Sequence, residues 1–245
     1  MKKVMLFKLM LVALLWTNAL YANSITLGYH AFSPYEFKLN DKPAGIMVDI
    51  VQTIFKKVDV QLELKFLPFK RALTNVKKGQ NDGLFILYKT PERMKYFDYT
   101  KPLINSPLLF FVRKGSNIKF EKLSDLKGLK IGVMHGYTYG SEFDNSPYYT
   151  LDPGTSHEVN FNKLIKGRTD AYICDKWVGI YTALKENVMS ELKTLPVPLK
   201  VMSLYMVFTK GKHQALIDKI NPIVESMTAS GEIDKLIDQF MSGQK

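Results

Sequence analysis

Hydrophobic residues recur with two different periods along the first third of the chain, which predicts the order strand, helix, strand, helix. The segment ITLGY (residues 25–29) is short and β-rich, and VQLELKF alternates as a half-buried strand does. The segment PFKRALTNVKKG begins with proline and ends at Gly79, as a helix does. Asp49 stands where an N-cap belongs in GIMVDIVQTIFKKV. That segment places five apolar residues on one helical face: Ile50, Val51, Ile54, Phe55 and Val58.

The same plan then recurs. DGLFIL and PLLFFVRKG predict further strands, LKIGVMHGY a strand that runs into a glycine turn, and DAYICD another strand. Between them, HEVNFNKLIKG carries three apolar residues at helical spacing: Phe161, Leu164 and Ile165. Strands that alternate with helices are typical of an α/β fold with a mostly parallel sheet. The chain ends in the extended segment LPVPLKVMSLYMVF and two amphipathic helices that need a surface to cover them.

A short internal similarity supports a repeat. GQNDGLFIL, from Gly79, and GRTDAYICD, from Gly167, both read glycine, two polar residues, aspartate, a small residue and a strand. Strings of this length also arise by chance, so this feature alone leaves coincidence open. Because no proline- or glycine-rich linker separates the two cycles, we predict a compact bilobal protein with a ligand site where strand ends face each other.

The opening MKKVMLFKLMLVALLWTNALYANS predicts a secretory signal over residues 1–22, with Ala22 the last residue removed. It has a basic start, a short apolar block and small residues at its end. Its unbroken apolar run, Leu9 to Trp16, is far shorter than the ~20 residues of a spanning helix, which disfavours a membrane anchor. A bacterial periplasm is the simplest destination.

Composition narrows the picture further. Cys174 is the only cysteine, so no internal disulfide can form and the fold must depend on core burial, which 46% hydrophobic residues allow. The net charge is +11, and +8 without the signal lysines, but the basic residues are dispersed, so no nucleic-acid partner is expected. We expect no cofactor and no metal, because the four histidines are widely spaced and read as surface or hydrogen-bonded groups: His30, His135, His157 and His213.

Six motifs together resemble a known family. SPYEF, GIMVDI, PFKRAL, DGLFILYKTPER, LSDLKGLKIGVMHGYT and GRTDAYICD occur in the order found in periplasmic solute-binding proteins of the polar amino acid type, extracellular solute-binding family 3. The resemblance implies a type II periplasmic-binding-protein fold: two α/β lobes, each a mostly parallel sheet flanked by helices, joined by two crossing strands. The crossings are expected near Phe110 to Arg113 and near Val201 to Tyr205. Lobe 1 would then be residues 23–110 and 203–245, and lobe 2 residues 111–202.

The resemblance also implies two charged ligand contacts. Arg93 of TPER matches the arginine that grips the ligand's α-carboxylate, since two parallel N–H groups match two carboxylate oxygens. An arginine that caps a carbonyl or pairs with a surface acid is the alternative. Asp175, at the end of DAYICD, matches the aspartate that holds the α-ammonium, and a role as N-cap of the helix KWVGIYTAL is its alternative.

The resemblance also implies contacts to other parts of the ligand. Phe32 and Phe69 match residues that sandwich the ligand side chain, with core packing as the rival interpretation. Thr138 fits a glycine-threonine turn at a helix start, where free N–H groups can receive an anion. Three further candidates are tyrosines of the pocket wall: Tyr35, Tyr88 and Tyr137. Arg71 is either a second cation near the cleft or a residue exposed to solvent.

Departures from the family pattern leave the ligand open. Met47 replaces an expected acid, the serine-rich loop before TPER is missing, and Tyr137 and Tyr139 stand where smaller or amide residues are usual. We expect a monomer that binds an amino acid or related small carboxylate and delivers it to an inner-membrane ABC permease. One alternative is a dehydratase-like enzyme with Glu36 or Glu142 as proton donor, although no catalytic set is evident. A ligand sensor that docks on a receptor is the other.

Overall fold

The computed structural model describes residues 24–243. Its elements, in chain order, are β1 (Ile25–Tyr29), β2 (Phe37–Leu39), β3 (Lys42–Ala44), α1 (Ile46–Lys57), β4 (Leu62–Phe66), α2 (Phe69–Lys77), β5 (Gly83–Leu87), α3 (Pro91–Met94), β6 (Phe97–Tyr99), β7 (Ile104–Arg113), β8 (Lys130–Met134), α4 (Ser141–Asp144), β9 (Thr150–Gly154), α5 (His157–Ile165), β10 (Ala171–Asp175), α6 (Lys176–Lys185), β11 (Leu192–Thr194), β12 (Lys200–Thr209), α7 (Gln214–Ala229) and α8 (Glu232–Ser242). The predicted alternation of strands and helices is confirmed.

One continuous sheet has the strand order β4-β1-β5-β12-β7-β10-β8-β9, with β6 paired to β12 and β11 paired to β7. We call β4, β1, β5, β12 and β6 the first half of the sheet, and β7, β10, β8, β9 and β11 the second half. In each half three strands are parallel: β4, β1 and β5 in the first, β9, β8 and β10 in the second. The strands nearest the join are antiparallel to these.

Two long strands join the halves. Residues Ile104–Leu108 of β7 pair in antiparallel fashion with Lys200–Leu204 of β12. Farther along, β7 pairs with β10 in the second half, and β12 pairs with β5 in the first. The second crossing therefore overlaps the predicted position, whereas the first lies earlier than predicted. Residues Phe110 to Arg113 pair with β10 and β11 instead, because this apolar run continues into the core of the second half.

The internal repeat is visible in matching contacts. The Asp82 carboxylate, just before β5, accepts the N–H of Thr26 on β1 at 2.8 Å. The Asp170 carboxylate, just before β10, accepts the N–H of Lys130 on β8 at 2.8 Å. Each aspartate thus ties the third parallel strand of its half to the first, so the two similar sequence segments hold equivalent places in the fold.

Helix α1 begins earlier than its sequence predicts. It starts at Ile46 with Gly45 as N-cap, and Asp49 lies in the first turn. The first N–H groups of the helix donate to the carbonyls of Pro34 and Tyr35, both at 2.9 Å. Since neighbouring main chain satisfies these donors, no capping side chain is needed, and the prediction of Asp49 as N-cap was wrong.

Three further expectations concern the signal peptide, membrane-spanning helices and the single cysteine. The predicted signal peptide, residues 1–22, lies outside the described residues. Within residues 24–243, no helix is long and apolar enough to cross a membrane. Cys174 is a free, buried cysteine on β10.

Candidate ligand-binding site

A cavity of about 260 Å³ lies between the two halves of the sheet. Its walls come from the loop after β1, the end of β5, both joining strands, and the β8 and β10 ends of the second half. The lining residues are Phe32, Tyr88, Leu108, Met134, Tyr137, Thr138, Tyr139, His157, Cys174, Asp175, Val178, Lys200 and Met202. Of the nine candidate site residues named from sequence, the structure brings five together here: Phe32, Tyr88, Tyr137, Thr138 and Asp175.

Asp175 is the most constrained charged group of the cavity. Its Oδ1 accepts the N–H groups of Trp177 (3.0 Å) and Val178 (3.2 Å), so it caps helix α6 as the alternative interpretation expected. The same oxygen accepts the hydroxyl of Tyr35 at 2.7 Å. The other oxygen, Oδ2, is buried and has no hydrogen-bond partner among the described residues. One carboxylate oxygen therefore remains unpaired in a group that lines the cavity.

The surroundings of Asp175 act on its charge in opposite directions. Burial raises the pKa of this carboxyl group, while the hydroxyls of Ser106 and Tyr35 and the two α6 amides lower it. The Tyr35 oxygen also lies 2.7 Å from the Ser106 oxygen. Because a phenol has one proton and an ionised carboxylate only accepts, Tyr35 donates to Asp175 and Ser106 donates to Tyr35. The chain of hydroxyls thus stabilises the ionised form of Asp175.

Arg93 lies near the cavity without lining it. It sits in the single turn α3, where the Thr90 hydroxyl accepts the Arg93 main-chain N–H at 3.3 Å. Its Nη1 donates to the carbonyl of Tyr88 at 3.0 Å, which is the carbonyl contact of the alternative interpretation. The remaining guanidinium N–H groups make no hydrogen bond or ion pair with described residues. Arg93 is therefore held beside a wall of the cavity with donors to spare.

The two predicted sandwich residues contact a side chain of the protein itself. The His30 ring stacks on Phe32 with centroids 6.2 Å apart, and its centroid lies 4.9 Å from that of Phe69. Phe32 lines the cavity, whereas Phe69, at the start of α2, does not. His30 in turn pairs with the buried carboxylate of Glu36. An aromatic layer of three rings thus backs one side of the cavity.

Two main-chain amides of the turn after β8 are bound within the turn itself. Tyr137 and Thr138 are exposed at the edge of the cavity, but the N–H groups of Tyr139 and Gly140 donate to the Asp144 carboxylate at 3.0 to 3.2 Å. These two amides are therefore not free to receive an anionic ligand, and the role of Thr138 stays a prediction. The helix that follows, α4, has only four residues, and Asp144 is the last of them.

Two other candidates occupy opposite environments. Tyr88 lines the cavity, and burial is the main cause that raises the pKa of Tyr88 to about 12, so its phenol is neutral. Arg71 is exposed on α2 and does not line the cavity, as the solvent-exposure alternative expected. Its side chain makes no hydrogen bond or ion pair with the described residues.

Several of the lining residues were not selected from the sequence. His157 is one: its Nδ1 lies 2.5 Å from the Tyr172 hydroxyl and 3.5 Å from Cys174 Sγ. Burial lowers the pKa of His157 and raises the pKa of Cys174, so both are neutral. Lys200 and Met202 were also missed. The predicted second crossing was the available signal, since a joining strand borders any cavity between the halves.

The two acids of the enzyme alternative lie away from the cavity lining. Glu36 is fully buried, its Oε1 accepts the main-chain N–H of His30 at 3.1 Å, and burial raises its pKa to about 7. Glu142 is exposed on α4. Within residues 24–243, no three His, Cys, Asp or Glu side chains converge as metal ligands do.

Comparison with known families settles the class of protein. The family of bacterial extracellular solute-binding proteins, family 3, matches residues 25–243. The chain belongs to this family. It is 25% identical over 219 residues to the probable amino-acid-binding protein YxeM of Bacillus subtilis, across 85% of this chain and 80% of the relative. It is 26% identical over 221 residues to the arginine-binding extracellular protein ArtP of the same organism, across 87% and 84%.

Solved structures give the same architecture. The second substrate-binding domain of Lactococcus lactis GlnP, in its open conformation, matches with a TM-score of 0.74 and 27% identity, over 90% of this chain and 96% of that one. The unliganded L-cystine solute receptor of Neisseria gonorrhoeae matches with a TM-score of 0.76 and 23% identity, over 89% and 92%. The predicted two-lobed fold is confirmed for this family 3 solute-binding protein.

Proposed function

We propose that this solute-binding protein is exported to the periplasm, captures an amino acid or related small carboxylate between its lobes, and delivers it to an inner-membrane ABC permease. The unpaired Oδ2 of Asp175, in a cavity walled by both lobes, is the observation that carries the proposal. A buried acceptor without a partner is costly, and a ligand ammonium would supply the missing donor. The arginine- and amino-acid-binding relatives make an amino acid the natural ligand class.

The proposed contacts follow from this placement. Asp175 receives the ammonium group, and the unused N–H groups of Arg93 receive the carboxylate. Phe32 and Tyr88 form the side-chain walls, and the exposed Tyr137 covers the entrance together with the neighbouring threonine, Thr138. Phe69 supports Phe32 through the His30 ring, and Arg71 takes an outer position on the first lobe.

Lobe closure completes the proposed mechanism. We place the lobe limits in the paired joining segments, Ile104–Leu108 and Lys200–Leu204, instead of at residues 110 and 202. Because Arg93 belongs to the first lobe and Asp175 to the second, one small ligand can contact both only when the lobes are closed. The protein would act as a monomer, after removal of its signal peptide.

A ligand screen tests the proposal. The chain from residue 23 would be examined by thermal shift against the standard amino acids, small dicarboxylates and simple amines. A ligand at 100 times its dissociation constant stabilises a fold by ~2.7 kcal/mol, which such a screen detects. We expect at least one amino acid to stabilise the protein and to reduce its radius of gyration in small-angle scattering. If no amino acid or carboxylate stabilises it, the proposal fails.

We further propose binding without chemical turnover, because neither candidate proton donor lines the cavity. Glu36 is enclosed by its own loop, and Glu142 faces solvent. Proton NMR of the stabilising ligand, recorded before and after a day with the protein, is expected to show no new compound. Loss of the ligand signal with growth of product signals would restore the enzyme alternative.

A further inference from the structure

The cavity carries a simple charge pattern. Its walls are mostly aromatic, aliphatic and thioether side chains. The phenols of Tyr88 and Tyr139, the thiol of Cys174 and the ring of His157 are neutral because burial disfavours their charged forms. Two charged side chains remain among the lining residues: Asp175 and Lys200. The cavity therefore offers one negative group and one positive group inside an uncharged wall.

Lys200 is placed to act on a ligand. It opens strand β12, pairs with Leu108 of the other joining strand, and is half-buried. Within residues 24–243 its ammonium group makes no hydrogen bond or ion pair. A partly desolvated lysine without a counter-charge is stabilised when an anion reaches it. Arg93, by contrast, already spends one donor on Tyr88 and does not line the cavity.

If Asp175 and Lys200 pair with the ammonium and carboxylate groups of an amino acid, no charged group of the lining is left for the ligand side chain. Asp175 has one free oxygen, because the three donors described above occupy Oδ1. The His30 ring lies parallel to Phe32 and covers part of the aromatic face on which a cation could stack, while Phe32 still lines the cavity. At about 260 Å³ the cavity is also slightly below the usual range of ~300–1,000 Å³ for ligand pockets, which favours a compact ligand.

We infer that the cavity selects a zwitterionic amino acid with an uncharged aromatic or thioether side chain, whose ammonium meets Asp175 Oδ2 and whose carboxylate meets Lys200. This inference rests on the proposed function and names its substrate class. It assigns a binding role to Lys200 in addition to that of Arg93. Phe32, Tyr88, Met134 and Met202 are the surfaces that the ligand side chain contacts.

Two neighbouring spaces define the competing outcomes. A second cavity of about 290 Å³ shares Phe32 and Tyr137 with the first and contains Glu158 and Glu186, so a long cationic side chain that passed Tyr137 would reach these acids. Lys200 also borders an outer groove that contains Glu142. A preference for arginine would mean that the ligand side chain enters the second cavity. A Lys200 whose replacement leaves binding unchanged would mean that its ammonium group lies in the outer groove.

Isothermal titration with defined probes tests the inference. The wild type would be titrated with L-methionine, L-phenylalanine, L-arginine and L-glutamate, and with L-phenylalanine amide, which lacks the carboxylate. We expect the two uncharged side chains to bind roughly tenfold or more tighter than the charged ones. We also expect the free acid of phenylalanine to bind tighter than its amide.

Lysine variants complete the test. Lys200→Met is expected to weaken L-phenylalanine binding roughly tenfold or more and to reduce the preference over the amide, and Lys200→Arg to restore much of both. Lys119→Met is the matched control, since Lys119 is exposed and makes no hydrogen bond or ion pair with the described residues. Circular dichroism confirms that each variant is folded.

Three results would overturn the inference. If L-arginine or L-glutamate binds tightest, the side-chain class is wrong while the proposed function stands. If Lys200→Met binds as the Lys119→Met control does, Lys200 makes no ligand contact. If no amino acid binds at all, this inference and the proposed function fail together.

Discussion

The hydroxyl of Tyr35 donates a hydrogen bond of 2.7 Å to Oδ1 of Asp175, across 140 positions of sequence. Tyr35 follows β1 in the first lobe, and Asp175 ends β10 in the second. The bond lies beside Ser106, on a joining strand. A contact between the lobes therefore orients the carboxylate that we assign to the ligand, so the position of the lobes and the state of the site are coupled.

Removal of the Tyr35 hydroxyl is expected to destabilise the protein. A hydrogen bond to a charged group contributes ~1.5–3 kcal/mol, and Tyr35→Phe deletes this one from a fully buried position. Urea unfolding at pH 7 measures the change in the free energy of unfolding. Tyr29→Phe is the matched control, because Tyr29 is also buried but its hydroxyl makes no hydrogen bond with described residues. Equal stabilities of the two variants would contradict the role of the bond.

Arg93→Lys is expected to lose most of the affinity for the best amino acid found in the screen, although the charge is kept. A lysine presents a point charge and cannot offer two parallel donors to a carboxylate. We expect affinity to fall roughly tenfold or more by isothermal titration. The control is Arg168→Lys, an exposed arginine outside the cavity. If lysine at position 93 binds as the wild type does, Arg93 supplies only charge.

Glu36 makes stability depend on pH. Burial raises its pKa from 4.5 to about 7, with the His30 pairing opposing that effect. Because the folded-state value lies above the unfolded one, the group's contribution to stability is fully present below pH 4.5 and is lost as pH rises through about 7. Glu36→Gln cannot ionise and escapes this loss.

The stability of Glu36→Gln relative to the wild type is therefore expected to increase by roughly 2–3 kcal/mol between about pH 5 and 8. Urea unfolding of both proteins across this range provides the measurement. Glu142→Gln, on an exposed acid, is expected to follow the wild type at every pH. A constant difference between Glu36→Gln and the wild type would mean that Glu36 ionises as an ordinary carboxyl group does.

Gly179 permits close packing of α6 on the second lobe. A Cβ at this position would lie 2.3 Å from the Phe111 ring, and Phe111 is fully buried. Gly179→Ala is expected to destabilise by about 1–3 kcal/mol despite the better helix propensity of alanine. Gly115→Ala, with no atom within 4 Å of its Cβ position, is expected to change stability little. Thermal unfolding that ranks the two alike would refute the close contact.

The fold was largely predictable because the hydrophobic residues of its strands and helices recur with clear periods and because a similar sequence segment occurs in each half. The boundaries were less so. Asp49 has a side chain that can cap a helix, but the carbonyls of Pro34 and Tyr35 accept the first N–H groups of α1 instead. Only the tertiary fold brings these two carbonyls to the start of the helix. Likewise, the apolar sequence of Phe110 to Arg113 does not show whether these residues pair with strands of the first or of the second half of the sheet.

The site was predictable where one residue type implies one chemistry, and less so where partners compete. Asp175 lies in the cavity as expected, yet it also serves as N-cap, so both interpretations of the sequence describe the same side chain. Sequence reasoning did not foresee that Asp144, five residues after Tyr139, binds two amides of the turn after β8. No local sequence pattern predicts that a histidine stacks on Phe32 or that Lys200 lines the cavity.

The joining strand β12 has a consequence for the order of folding. It occupies the centre of the sheet, between β5 and β7, yet its residues Lys200–Thr209 come late in the chain. A nascent chain that stops before position 200 contains the other strands of the first lobe but exposes the edge of β5 with nothing to pair it. Contacts this distant in sequence form slowly, since a long loop must close first. The first lobe to be synthesised is therefore the last to be finished.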